Sequence, residues 1–268
     1  MHGPQQKKEE RIRGMDAITA TLDAVCLASQ TILESGGETY RAEETVERMC
    51  RGLQMPQVDV LALPTGLMLT LTTEDGSNVS RLVRVRDRST NLERIDQCNS
   101  ISRKVAAGEM SAREALERLR EIRRPQKEHR LLLIGASALS AGSFTVMLGG
   151  TWADFIVSFF CGMVVQLVMP PLSRMRVPTL LSSLLAGALT TLMALVGTLA
   201  VQAVHVEPVI SGAIMPLLPG LATTNAMRDT MRGDLVSGGA RIIEAILGVM
   251  MLAAGIGLML SMWGGIGA

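Results

Sequence analysis

The chain has 268 residues, 48% of them apolar, and a formal net charge of +1. Its charges are concentrated in one half: residues 1–130 contain 21 basic and 20 acidic side chains, whereas residues 131–268 contain five of each. Because soluble domains average about 25% charged residues, this asymmetry excludes a single soluble globule. The apolar second half excludes disorder, and neither half has the excess of positive charge typical of proteins that bind nucleic acid.

Three divisions of the chain are expected. Residues 1–14 are predicted to be a disordered or cloning-derived tail, because they are polar and lack the apolar core of a secretory signal. Residues 15–126 are predicted to form a cytoplasmic α+β domain. Residues 127–268 are predicted to form an all-α polytopic membrane domain of five transmembrane helices.

The α+β prediction rests on a change of apolar period along residues 15–126. Apolar residues recur at helical spacing over residues 16–34 and 40–53, and strand-like alternation follows over 57–63, 67–73 and 79–85. Two capping boxes, Thr90 with Glu93 and Ser111 with Glu114, each predict the start of a further helix. The expected order is therefore two helices, three strands and two helices.

Motifs for catalysis or cofactor binding are missing from the sequence. It has no nucleophile elbow, phosphate-binding loop or dinucleotide-binding turn, and its four cysteines lack metal-ligand spacing. The chain is therefore not expected to be an enzyme, to carry a cofactor or to bind a metal ion. A basic patch at Arg81, Arg84, Arg86 and Arg88 fits anion or lipid-headgroup binding, although salt bridging on a strand face is the favoured interpretation.

Five apolar runs in the second half are each about long enough to cross the roughly 30 Å hydrocarbon core of a bilayer. They cover residues 131–148, 155–172, 179–204, 209–227 and 242–262. With five spans, every Lys and Arg of the connecting segments falls on one side of the membrane. This distribution predicts a cytoplasmic N-terminus and a C-terminus on the outer side.

The fourth run is interrupted by proline and glycine. Pro216 and Pro219 lack backbone donors, and Gly220 permits close backbone approach. A helix broken within a membrane leaves polar backbone groups free, and such groups often form substrate sites in transporters. Hydrogen-bonding side chains follow just beyond the break at Thr223, Thr224 and Asn225. We interpret this segment as a candidate substrate site, with a kink that serves only packing as the alternative.

Charged residues continue from the broken run into the fifth run. They are Arg228, Asp229, Arg232, Asp234, Arg241 and Glu244. Arg241 and Glu244 are three residues apart and so share a helix face. Because a charge in lipid is unfavourable, Glu244 is expected to face the bundle interior, either as a proton carrier or as a structural partner of Arg241. Asp154, at the outer end of the second run, fits either a protonation or entry residue or a solvated loop acid.

Motifs spread over nearly the whole chain point to a known family. They are LESGGE at 33–38, EET at 43–45, RLVRV at 81–85, NLER at 91–94, GAIMPLLPG at 212–220, TNAMRD at 224–229 and GDLVSG at 233–238. With these motifs the chain resembles the threonine/serine exporter (ThrE) family, and most closely the YjjP-like subunit of its split two-component form.

The resemblance implies a secondary transporter subunit of the bacterial inner membrane that exports small hydrophilic metabolites, chiefly threonine and serine. Fused members carry a second, shorter membrane domain after this unit. Because the chain stops soon after its fifth run, the resemblance implies a separate small YjjB-like membrane partner and a hetero-oligomer. Split-pair members are also linked with dicarboxylates such as succinate, which is the alternative substrate class. A membrane-anchored sensor or assembly protein is the alternative of another class.

The charges of the candidate substrates suggest roles for the charged residues. A zwitterionic amino acid needs an acidic partner for its ammonium group, which Asp229 or Glu244 could supply, and N–H donors for its carboxylate at a half-helix N-terminus. A dicarboxylate would instead depend on Arg228, Arg232 or Arg241.

Overall fold

The computed structural model describes residues 4–73, 75–124, 129–175 and 177–266 of the chain. The chain divides into two compact units, and each combines two separate stretches of sequence. Unit 1 consists of Met1–Gln126 and Ala222–Ile242, and unit 2 consists of Lys127–Leu221 and Ile243–Ala268. Part of the apolar half of the sequence therefore belongs to the same unit as the charged half.

Unit 1 contains four helices from the charged half. They are α1 (Pro4–Glu34), α2 (Thr39–Gly52), α3 (Leu92–Ala106) and α4 (Ala112–Ile122). Helix α1 contacts the other three, and its Val25, Ala28 and Ile32 are fully buried at the spacing of one helix face. It begins within residues 1–14, for which the sequence predicts a tail. The core of unit 1 is therefore organised around α1.

A pair of glycines ends α1 and directs the chain into α2. Gly36 has a φ angle of 79°, which glycine adopts without the steric penalty of a side chain. The Gly37 N–H donates to the Ile32 carbonyl at 2.9 Å, so the last turn of α1 has a backbone cap. A Cβ at Gly37 would lie 2.5 Å from the Ile32 side chain. This tight turn fixes the position of the residues that start α2.

The sheet of unit 1 is a small antiparallel meander in the order β1-β2-β3. Its strands are β1 (Gln57–Leu63), β2 (Gly66–Thr72) and β3 (Asn78–Arg84). Leu67, Leu69 and Leu71 of β2 are buried on one face, whereas Met68 between them is exposed. The alternation in the sequence thus reflects a sheet that packs on the core with one face only.

The predicted α+β fold class is wrong. The structure is 72% helical, and the β content of the described residues is this one sheet of three seven-residue strands. The predicted strand positions agree with the observed ones to within one residue. However, short strands that cover one side of a helical core do not make a layered α+β domain. The sequence pattern identified the strands but gave no measure of how much of the core they would supply.

The starts of α3 and α4 show one confirmed and one incorrect capping prediction. Ser111 and Glu114 form the predicted capping box at α4. At α3, however, the cap is Asn91, whose side-chain oxygen accepts the Arg94 N–H at 3.0 Å. Asparagine is a better cap than threonine, so the neighbouring residue takes the role that the sequence pattern assigned to Thr90.

Unit 2 is a bundle of apolar helices that pack closely through small residues. It contains α5 (Arg130–Met147), α6 (Trp152–Arg174), α7 (Thr179–Ala200), α8 (Val206–Ile214) with a 3₁₀ turn (Met215–Leu217), and the later part of α10 (Leu235–Ile266). A Cβ at Gly212 of α8 would lie 2.0 Å from the Thr145 hydroxyl of α5. A Cβ at Gly187 of α7 would lie 2.2 Å from the Leu252 carbonyl of α10. Such contacts are typical of helix packing within membranes.

Four of the described helices are long and apolar enough to cross a membrane. They are Arg130–Met147, Trp152–Leu172, Thr179–Ala200 and Leu235–Gly265. A fifth span results if Val206–Leu217 and the following α9 (Gly220–Met231), which are bent at a break, are counted together. The helices thus allow four or five spans, and the predicted break in the fourth run is present.

Candidate functional site

Residues 36–40, which comprise the turn after α1 and the first residues of α2, form a polar junction with α9 and the start of α10 in unit 1. The junction joins segments about 190 residues apart in the sequence. Asn225 of α9 donates its side-chain N–H to the Gly36 carbonyl at 2.8 Å. Arg241 of α10 donates to the Gly37 carbonyl at 2.7 Å. Two carbonyls left free by the glycine turn are thus bound by side chains from the other segment.

The centre of the junction is a buried ion pair between Asp229 and Arg241. The Arg241 Nε lies 3.2 Å from the Asp229 Oδ2, and the side chains are 6% and 0% exposed. The other oxygen of Asp229, Oδ1, accepts the backbone N–H of Thr39 at 3.2 Å. Burial of a charge requires a partner and further hydrogen bonds. The backbone of residues 37–39 supplies these hydrogen bonds to both members of the pair.

Asp234 joins the junction and also starts α10. Its Oδ1 accepts the backbone N–H of Ser237 at 3.1 Å, which is the contact of a helix N-cap. Its Oδ2 accepts the Thr39 hydroxyl at 2.7 Å. A Cβ at Gly238 would lie 2.1 Å from the Thr230 hydroxyl, so α9 and α10 are in close contact here. The cap and this contact together hold the first turn of α10 against α9.

Glu38 links the junction to two further arginines. Its carboxylate lies 2.8 Å from Arg228 of α9 and 2.9 Å from Arg41 of α2. Burial raises the pKa of Glu38, but hydrogen bonds from its own backbone N–H and from the two arginines outweigh burial, so the net pKa is lowered. Glu38 is therefore charged at neutral pH. Nearby, the Arg232 guanidinium lies 4.0 Å from the centre of the Tyr40 ring, as in a cation–π contact.

The structure brings together only part of the predicted site. The predicted residues that contact residues 36–40 are Asn225, Arg228, Asp229, Arg232, Asp234 and Arg241. Thr223 and Thr224 are exposed on α9 of unit 1. Pro216, Pro219 and Gly220 lie at the break, in unit 2. Glu244 is also in unit 2 and is exposed, whereas Arg241 belongs to unit 1 and pairs there with Asp229.

Sequence reasoning missed the partners in residues 36–40. Glu38 and Thr39 contact three of the predicted charged residues but were not chosen as site residues. The signal that could have found them is the LESGGE motif, which resembles the same family as the motifs of α9 and α10. Motifs that are far apart in a sequence but share a family resemblance often meet at one site.

Unit 2 contains a second polar cluster around Asp154. Its side chain is fully buried, so a solvated loop acid, one of the two alternatives for this residue, is excluded. It accepts the backbone N–H of Thr151 at 2.7 Å and that of His205 at 2.6 Å, and its Oδ2 lies 3.2 Å from the His205 ring. Asp154 thus ties the start of α6 to the segment before α8. Across the described residues, no group of three or more His, Cys, Asp or Glu is arranged to hold a metal ion.

Comparison with known proteins identifies the family. The sequence profile of a family described as "Putative threonine/serine exporter" (ThrE) matches residues 23–263. The chain belongs to this family. The family is described as one of exporters and the chain has several long apolar helices, so it is a multi-pass membrane protein. No solved structure matches the chain.

Curated relatives carry two kinds of name. A probable threonine/serine exporter of Mycobacterium tuberculosis is 24% identical over 247 residues, which cover 91% of the chain and 46% of the relative. A threonine/serine exporter of Corynebacterium glutamicum is 24% identical over 92% of the chain and 51% of its own length. A probable succinate transporter subunit YjjP of Klebsiella aerogenes is 26% identical over 87% of the chain and 90% of its own length. The chain therefore spans about half the length of the exporters and most of the YjjP subunit.

Proposed function

We propose that the chain is a subunit of a secondary transporter that exports threonine and serine from the bacterial cytoplasm. The observation that carries this proposal is the buried ion pair between Asp229 and Arg241. Asp229 lies near the C-terminal end of the broken helix pair formed by α8 and α9. A zwitterionic amino acid bears an ammonium group and a carboxylate. These are the charges that Arg241 and Asp229 present to each other, so such a substrate could replace each residue as the partner of the other.

The surrounding groups suit an amino-acid backbone and a hydroxyl side chain. The Gly37 carbonyl, which accepts from Arg241, is an additional acceptor for an ammonium group. The Thr39 N–H and hydroxyl and the Asn225 amide are donors at the same junction. A hydroxyl-bearing side chain can donate and accept, and a site with both kinds of group rejects substrates that leave those groups unpaired. Threonine and serine fit this requirement better than apolar amino acids do.

A dicarboxylate such as succinate is the second candidate substrate. The name of the YjjP relative, which is matched over 90% of its length, favours it. Three of the arginines at the junction, at positions 228, 232 and 241, could bind two carboxylates. A dicarboxylate has no ammonium group, however, and its two charges would face Asp229 and Asp234. This repulsion makes a dicarboxylate the less favoured substrate. A sensor or assembly protein is also less favoured, because such a role would not require a site with groups for both charges of a substrate.

The relatives' names and the charge distribution support the remaining parts of the proposal. The word "subunit" in the YjjP names supports a separate small membrane partner of the YjjB type in a hetero-oligomer. The one-sided distribution of Lys and Arg between the apolar runs supports insertion in the inner membrane with a cytoplasmic N-terminus and an outer C-terminus. Residues 15–126 would then lie in the cytoplasm, together with the junction that residues 36–40 form.

The proposal is tested by transport of labelled threonine and succinate in inverted inner-membrane vesicles that contain the chain and its partner. We expect vesicles to accumulate threonine, serine to compete with it, and succinate to compete weakly. Asp229→Asn should abolish threonine transport, whereas Asp96→Asn, an exposed acid on α3, should leave it unchanged. Transport of succinate that unlabelled threonine does not inhibit would reverse the choice of substrate. Normal threonine flux in a well-expressed Asp229→Asn variant would overturn the site.

A further inference from the structure

A cleft formed by α1, β3 and α4 is not used by the proposed transport site. It lies wholly within unit 1 and has a volume of about 570 Å³. Binding pockets for small molecules typically measure about 300–1,000 Å³. The size of the cleft is therefore that of a site for a metabolite.

The sequence spacing explains how three elements line this cleft. Asp23, Leu27 and Gln30 recur on one face of α1. Leu116 and Arg120 lie four residues apart on α4, so their side chains point to the same side. Further lining residues come from the end of α4 and from β3, and they are Arg81, Leu82, Val83, Arg84 and Arg123. The lining of the cleft thus combines apolar side chains with arginines.

The charges around the cleft are unbalanced. Among the described residues, its lining contains four arginines and a single acid, Asp23, which pairs with Arg81. Arg123 pairs with Glu34 at 2.9 Å, but its Nη1 is buried and has no hydrogen-bond partner among the described residues. Cys26 also lines the cleft, and burial raises the pKa of its thiol to about 11, so it adds no negative charge at neutral pH.

Two of the arginines that line the cleft have no counter-ion in the part of the chain that the structure describes. For Arg84 and Arg120, no ion pair with any described residue is found, and both side chains are exposed. Arg84, Arg120 and Arg123 line the cleft from β3, from α4 and from the residue that follows α4. The favoured interpretation from sequence, salt bridging on the strand face, therefore accounts for Arg81 but not for Arg84.

We propose that this cleft binds a phosphate group carried by a small ligand. Arginine forks match the oxygens of carboxylates and phosphates. A carboxylate has two oxygens in one plane and one charge, so one arginine fork largely satisfies it. A phosphate monoester has three terminal oxygens and nearly two charges, which matches three guanidinium groups that come from different elements. The ligand is either a soluble phosphate monoester or the headgroup of a lipid with a terminal phosphate, such as phosphatidic acid.

The test is calorimetric titration of the purified full-length protein in detergent and phosphate-free buffer at low salt. The probes are glycerol 3-phosphate, short-chain phosphatidic acid, short-chain phosphatidylcholine and succinate. We expect saturable binding of one phosphate monoester, and no comparable binding of phosphatidylcholine, whose phosphate is a diester. Binding of glycerol 3-phosphate identifies a soluble ligand, whereas binding of phosphatidic acid alone identifies a lipid headgroup.

Variants connect the binding to the cleft. Arg84→Gln and Arg120→Gln should each weaken binding by about tenfold or more, because hydrogen bonds to charged groups carry that much affinity. Arg120→Lys keeps the charge but loses the fork, and should have an intermediate effect. Arg113→Gln is the matched control, since Arg113 is an exposed arginine on the same helix outside the cleft. Melting temperatures of all four variants should match that of the unmodified protein.

Three results would overturn the proposal. The first is a lack of saturable binding of both phosphate monoesters to the unmodified protein. The second is an equal loss of affinity in Arg113→Gln and Arg120→Gln, which would indicate only a general effect of net charge. The third is tighter binding of succinate than of the phosphate monoesters. None of these results bears on threonine transport, because no residue of the Asp229–Arg241 junction lines the cleft.

Discussion

Removing the charge of Asp229 should destabilise the protein strongly. Asp229→Asn keeps an oxygen that can accept the Thr39 N–H, so the main loss is the charge that compensates Arg241. The Arg241 side chain is only 6% exposed and would keep its charge without this counter-ion. Removing one partner of a buried ion pair costs about 3–5 kcal/mol. For a chain of this size we expect the melting temperature to fall on the order of 10 °C.

A double-mutant cycle separates the ion pair from other effects. Arg241→Met removes the guanidinium group and leaves Asp229 without this partner, so it should also destabilise. The double variant has neither buried charge, and we expect it to be more stable than the sum of the two losses implies by between about 0.5 and 3 kcal/mol. The measurement is thermal unfolding of the full-length protein in detergent micelles, with all variants at one detergent and salt concentration.

Additive losses in the cycle would contradict an interaction between Asp229 and Arg241. If the two losses add to within about 0.5 kcal/mol, the two residues do not interact energetically. The short distance between them would then have no stabilising consequence. Asp96→Asn, which removes an exposed acid of α3, serves as the control and should change the melting temperature by little.

Three further predictions concern a carboxylate, a helix cap and a helix contact. Because the folded-state pKa of Glu38 lies below its ordinary value of 4.5, its stabilising effect is complete above that pH and is lost as the pH falls through the folded-state pKa. The melting temperature of Glu38→Gln should therefore differ most from that of the unmodified protein at neutral pH, and the two curves should converge in acid; a constant difference from pH 7 to pH 3 would contradict the lowered pKa. Asn91→Ala should cost about 1 kcal/mol by removing the cap of α3, whereas Thr90→Ala should cost little; equal losses in denaturant unfolding would show that the cap is shared. Gly212→Ala places a methyl group 2.0 Å from a threonine hydroxyl of α5 and should lower the melting temperature. The control is Gly135→Ala, which should not lower it, because no atom lies within 4 Å of the added methyl group. An unchanged melting temperature of Gly212→Ala would mean that α5 and α8 can move apart without loss of stability.

The positions of the elements could largely be predicted from the sequence. Apolar alternation located the three strands to within one residue, because in a strand covered on one side each side chain is either buried or exposed. The apolar runs likewise marked α5, α6, α7 and α10, since a helix in lipid needs an apolar surface along its whole length. The fold class was wrong because local patterns do not show which elements supply most of the core.

The candidate site could be predicted only in part. Asp229 and Arg241 could be identified because they lie near a broken apolar run. Charged residues in such a setting are energetically unfavourable and are usually functional. A partnership of Arg241 with Glu244, one of the two roles considered for Glu244, was suggested by their spacing along one helix, which says nothing about partners from other segments. The structure adds Asp229 and the backbone of Gly37 as partners of Arg241. The contact between residues 36–40 and α9 crosses about 190 residues of sequence, so no local pattern contains it.

The sequence by itself determined the class of protein. Long apolar runs without charge have few stable surroundings other than lipid, and the interrupted run with its motifs marked a transporter family. Only the tertiary structure decided how the polar residues are combined. The Gly36–Gly37 turn brings the backbone of residues 37–39 into contact with Asp229 and Arg241. The packing of α4 and β3 against α1 places arginines around one cleft. Both arrangements depend on contacts between distant segments, whose energies are set by packing in three dimensions and not by neighbours in the chain.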